Sequence, residues 1–210
     1  MKSQNKSRAQ LNEEANSLTR NKLKLSALRC MKSKSCSVLK VADIVKEAKL
    51  ARGTFYLHFK DVQCLLRELS IDFMNGLERN LSALPVTLQI DELIEGVMAC
   101  YVNYVSQRPM EAKLVFQLIG EDGEVAFHFD SFAQRWSTYS ANAIQKTEFS
   151  NKEIGALERL SFSMICMMEG YYRSVLRESN RTLLGLKDDS PEAVIAMFTS
   201  IWKKSIASTS

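Results

Sequence analysis

Apolar residues recur three and four positions apart along most of the chain, which is the spacing of one face of a helix. Leu23, Ala27, Leu28 and Met31 form such a face in a helix predicted from Thr19 to about Lys34, with Thr19 as its N-cap. Residues 1–18 are polar, carry Lys2, Lys6 and Arg8, and read as a flexible arm with a helical turn around Gln10 to Ala15. After serines and Cys36, a short helix turns Val41, Ile44, Val45 and Ala48 inward. A third begins at Ala51 or Arg52, and Phe55 and Phe59 close the core of a small bundle. Asp61 is a predicted cap for a long fourth helix through Leu65, Leu69, Phe73, Leu77 and Leu81, which Pro85 ends.

The rest of the chain keeps the same period. Asp91 caps a predicted helix to about Gln107, Pro109 starts one to Gly120, and Gly123 precedes a long one through Phe132, Trp136 and Ile144. Ser150 and Glu153 read as a capping box that opens a helix to about Glu178. Ser190-Pro191-Glu192 starts the last, with Pro at the first turn and an acid at the positive helix end. Strand alternation and repeats are absent from the sequence. The fold class is therefore all-α. A three-helix domain with a helix-turn-helix pattern (19–61) is joined by a long helix to a helical body (62–210).

Charge adds a direction to this plan. The net charge is +4, yet residues 1–60 hold 14 basic against 4 acidic residues, leaving 14 against 20 in the remainder. A basic end on a near-neutral body points to nucleic acid as the partner of that end. The five cysteines form no CxxC pair and read as reduced thiols. The N-terminus lacks a signal-peptide pattern, and no apolar stretch approaches a membrane span. A cytoplasmic protein with no membrane partner is expected. His58 and His128 lack metal-ligand spacing, and no phosphate loop or nucleophile motif occurs. No enzyme activity, metal or cofactor is expected.

The stretch ARGTFYLHFKDV (51–62) follows KVADIVKEA (40–48) after a tight turn. The second of two such helices can enter a DNA major groove. Tyr56 through its hydroxyl and His58 through a ring N–H suit phosphate contacts, while Arg52 and Thr54 stand where base edges are read. Gly53 lets the backbone approach closely. Lys40, Lys49 and Lys60 add charge to the candidate surface.

The segment IVKEAKLARGTFYLHFKD, Ile44 to Asp61, resembles the reader of the TetR family of bacterial transcriptional repressors. Ala48, Gly53, Thr54, Phe55, Tyr56, His58 and Phe59 carry the likeness, and Thr19, Arg20, Leu23 and Ala27 align without a gap. Lys40, Lys49, Ala51 and Val62 stand where the family prefers Thr, Gly, Ser and Lys. The resemblance implies a homodimer on double-stranded operator DNA, with Leu157, Leu160, Met164, Met168, Val175, Ile195, Phe198, Ile201 and Trp202 as the candidate dimer faces. It also implies a pocket for an apolar effector, for which Phe116, Phe132, Trp136 and Met168 are the candidates. HFKDV and the segment Tyr101 to Asp122 further resemble the branch that represses unsaturated fatty-acid synthesis genes, which implies an acyl thioester effector. The alternative function is an effector-binding or protein-interaction module with a weakened DNA reader.

Overall fold

A computed structural model describes residues 7–85, 89–176 and 190–209. Among them every regular element is helical, and the chain divides into two compact units, Met1–Leu69 and Ser70–Ser210.

In the first unit, α1 spans Arg8–Cys30, α2 Val41–Ala48 and α3 Arg52–His58. The start of α1 differs from the sequence expectation. Ser7 is its cap: the Ser7 hydroxyl accepts from the Gln10 N–H at 3.3 Å, and the Gln10 side chain accepts from the Ser7 N–H at 2.8 Å. Thr19 lies inside the helix and donates to the Ala15 carbonyl. Residues 10–18 are exposed on every side, so no apolar stripe marks this part as helical. The other end also comes early, at Cys30, and a short turn of 3-10 helix at Cys36–Val38 leads into α2. Leu23, Ala27, Ile44, Phe55, Leu65 and Leu66 form a core with essentially no exposure.

Helix α4, Val62–Ser82, runs on from the first unit into the second. Asp61 caps it as expected, accepting from the Cys64 N–H at 2.8 Å. The second unit continues with α5 (Ile90–Gln107), α6 (Pro109–Leu118), α7 (Gly123–Gln145), α8 (Ile154–Val175) and α9 (Pro191–Ser208). Helix α7 lies along α8, and α9 along α5. At Gly76 the Tyr104 hydroxyl comes so close that an added Cβ would sit 2.1 Å from it, and that hydroxyl donates to the Phe73 carbonyl at 3.1 Å. A side chain at position 76 would displace the tyrosine and break this bond.

The expected box at Ser150 is not how α8 begins. Glu153 is itself the N-cap, and its carboxylate accepts from the N–H groups of Gly155 and Ala156. The acid that looked like the third helical residue does the capping. Ser190 caps α9 as expected. The expected run of α8 to Glu178 passes outside the described residues after Leu176.

Candidate nucleic-acid interface and effector cavity

The turn between α2 and α3 is built on Lys49, which has φ 53° and ψ 48°. The Lys49 N–H donates to the Lys46 carbonyl at 3.2 Å and the Leu50 N–H to the Val45 carbonyl at 2.9 Å. This is the paired closure of a helix by a left-handed residue, a place where glycine is usual. Lysine there costs roughly 1 kcal/mol of backbone strain. At the other end of α2, Lys40 supplies no side-chain cap, but the Asp43 carboxylate accepts from the Lys40 N–H at 3.1 Å. Asp43 also pairs with Lys34, and that hydrogen bond holds its carboxyl below the usual range. This is the acidic half of a capping box; the half a threonine hydroxyl would supply, to the Asp43 N–H, is missing, and that N–H donates to the Lys40 carbonyl at 3.0 Å.

Helix α3 sorts its residues sharply. Phe55 and Phe59 are buried and meet at 5.8 Å between ring centroids. Arg52, Gly53, Tyr56 and Leu57 are exposed, and Thr54 and His58 are half-buried at the edges of that stripe. Arg52 donates to the Tyr56 hydroxyl at 3.3 Å, so the two chief polar groups of the surface are already paired. A Cβ at Gly53 would meet no protein atom within 4 Å. Nothing inside this protein asks for glycine there. Lys40 and Lys49 are exposed at opposite ends of α2, and Lys60 is exposed beyond α3.

Two features escaped sequence reasoning. Leu57 is 83% exposed, the largest exposure among the big apolar side chains described. Its signal was its place, four residues after Gly53 on the outer face. The second is a brace. Arg20 donates to the His58 carbonyl at 2.6 Å, stacks 4.2 Å from the Phe59 ring centroid, and forms a two-point pair with Glu68. Lys24 joins the same carboxylate. The Arg20 hydrogen bond is the main reason the Glu68 carboxyl sits below its ordinary value, with Lys24 adding to it. The last carbonyls of α3 thus gain a cation, which suits the negative end of a helix.

In the second unit Phe132, Trp136 and Met168 come together around one small cavity of about 30 Å³ between α5, α7, α8 and α9. Phe116 does not join them. It lines a separate cleft with Lys113, Gln117 and Arg173. A further cleft of about 150 Å³ shares Leu81, Val97 and Trp136 with the small cavity and reaches Asn142 and Lys146. Among the described residues, none that lines the small cavity is charged. Burial pushes the Tyr101 phenol on its wall far up, so it stays protonated. Among the described residues no cluster of three or more His, Cys, Asp or Glu side chains forms a metal site, and no helix is long and apolar enough to cross a membrane.

The candidate dimer faces fare differently. Leu157, Met164, Met168, Phe198 and Trp202 are buried inside the chain, and Leu160, Val175 and Ile195 are half-buried. The five buried ones belong to the core. Only Ile201 of that set is exposed, because the apolar stripe of each helix points inward. The exposed apolar residues of α8 and α9 are Phe162, Met167, Met197 and Ile201.

Residues 26–69 match the model of a family described as bacterial regulatory proteins, tetR family. Over 191 residues, covering 88% of this chain and 84% of the relative, the chain is 23% identical to the HTH-type transcriptional regulator EthR of Mycolicibacterium smegmatis. A TetR-family regulator from Syntrophomonas wolfei superposes with a TM-score of 0.66 at 18% identity, over 91% of this chain and 96% of its own. A TetR-like regulator from Rhodococcus superposes at 0.70 and 10% identity, over 91% and 97%. The fatty acid degradation regulator FadR of Bacillus halodurans gives 0.65 at 16% identity, over 87% and 93%.

Proposed function

We propose that the chain is a TetR-family transcriptional regulator, a cytoplasmic repressor that binds operator DNA as a homodimer and is released by an apolar small molecule. The exposed stripe of α3 is the observation that carries this reading. Arg52, Gly53 and Tyr56 lie on it together, with room at Gly53 for close approach of a partner. In the proposed complex Tyr56, His58, Lys40, Lys49 and Lys60 hold phosphates and set register. Arg52 and Thr54 read base edges, and Leu57 packs on thymine methyl groups.

The effector site in this reading is the cavity of the second unit. Phe132, Trp136 and Met168 line it, flexible methionines allow it to adapt, and an acyl thioester is one source of a suitable chain. The weakened-reader alternative loses ground to the Asp43 bond and the Arg20 brace, which preserve the reader without the usual caps.

The test is binding of the full chain to promoter DNA beside its own gene, across a salt series and a panel of operator variants. A specific complex that weakens steeply with salt is expected. Arg52→Ala is expected to cost about 1–3 kcal/mol and to relax preference at one base position. If no specific footprint appears even at low salt, the repressor reading fails.

A further inference from the structure

Among the described residues, five buried side-chain polar atoms lack a hydrogen-bond partner, and three of them belong to residues lining the same cavity. These are the indole N–H of Trp136, the indole N–H of Trp202 and the hydroxyl of Ser161. All three residues are at most 8% exposed. An indole N–H can only donate, and a buried donor without an acceptor is costly. Apart from the hydroxyls of Tyr101 and Ser140 the rest of the wall is apolar, including Met98, Phe132 and Met168, and none of its described residues is charged.

The geometry points to an uncharged effector whose apolar body ends in a hydrogen-bond acceptor, such as a ketone, ester or thioester carbonyl, received by Trp136, Trp202 and Ser161. This rests on the effector-site reading above. An acceptor would satisfy the unpaired donors of these lining residues. A hydrocarbon leaves the donors unpaired. A carboxylate brings a charge that no described residue of the wall offsets, so its desolvation goes uncompensated. At about 30 Å³ the cavity takes only the polar head. The chain behind it extends into the adjoining cleft of about 150 Å³, and Trp136 stands on the wall of both. A single trapped water is the competing occupant, since a space of this size holds one.

The chain has two tryptophans and both line this cavity, so its intrinsic fluorescence reports on the site directly. The experiment titrates the full chain with methyl pentyl ketone, heptanoate and heptane at a pH where heptanoate is ionised. Methyl pentyl ketone is expected to bind saturably, ~10-fold or more tightly than heptanoate. Trp136→Phe and Ser161→Ala are each expected to weaken the ketone ~3- to 10-fold relative to heptane. Ser161→Ala removes an unpaired hydroxyl, so its fold is not at risk. Heptanoate binding as tightly as the ketone, or ketone affinity unmoved in both variants, overturns the acceptor assignment while the pocket reading stands. No saturable change with any of the three overturns both.

Discussion

Gly53 shows how a single position separates stability from function. It lies in the first turn of α3, faces solvent, and has open space where a side chain would go. Alanine there lowers the entropy lost on folding and stabilises by roughly 0.5–1 kcal/mol. A DNA backbone packed against that point has no such room. Gly53→Ala is therefore expected to raise the unfolding midpoint while lowering operator affinity by ~10-fold or more. Paired urea melts and DNA titrations check this. A variant that is more stable and binds as well as before removes Gly53 from the interface. Lys49 is the opposite kind of residue. Its left-handed backbone carries strain that glycine would relieve, and it places an exposed ammonium at the mouth of the turn.

At the scale of elements, the short helix α3 is held from outside by Arg20, Lys24 and Glu68. Glu68 has a carboxyl pKa below its ordinary 4.5, first through the Arg20 hydrogen bond. A depressed acid stabilises the fold above its unfolded value, and that contribution disappears as pH falls through the folded one. Asp43 and Asp61 are depressed as well, so wild-type acid sensitivity sums several groups. Comparison with Glu68→Gln isolates one of them. The variant is expected to be less stable near neutral pH, with the gap closing as pH drops below about 4.5. Chemical melts across the acid range measure it, and a gap independent of pH rejects the brace as the source. This brace was not legible in the sequence, because Arg20 and Glu68 are far apart in the chain and charge carries no periodicity. The helices with an apolar stripe were legible to within a turn or so, as at α4 and α9. Helix α1 was misplaced because its first turns bury nothing, leaving only the Ser7–Gln10 box as a sign. For the cavity, aromatic content alone could not tell Phe116 from Phe132, since both are buried residues on amphipathic helices.

For the whole molecule, the proposed two-fold complex needs a second copy, and most of the large apolar residues on the inward faces of α8 and α9 are already taken up inside their own chain. Leu157, Met164, Phe198 and Trp202 already fill the core of their own chain. What remains outside is a stripe on each helix: Phe162 at 47% exposure and Met167 on α8, and Met197 and Ile201, one turn apart, on α9. A stable dimer buries about 800 Å² per partner, with a core of large apolar side chains. These residues are the exposed anchors that α8 and α9 offer for such a core. Because all four reach the protomer's surface, a charge on this stripe is expected to break association at little cost to the fold. Phe162→Glu combined with Ile201→Glu is expected to turn a dimer into a monomer in sedimentation velocity. Helical content should be retained, and operator affinity should fall by ~100-fold or more as one half-site contact is lost. Removal of the α3 surface by Arg52→Ala leaves the dimer intact in the same measurement. A double variant that still sediments as a dimer would place the interface on another face of the second unit.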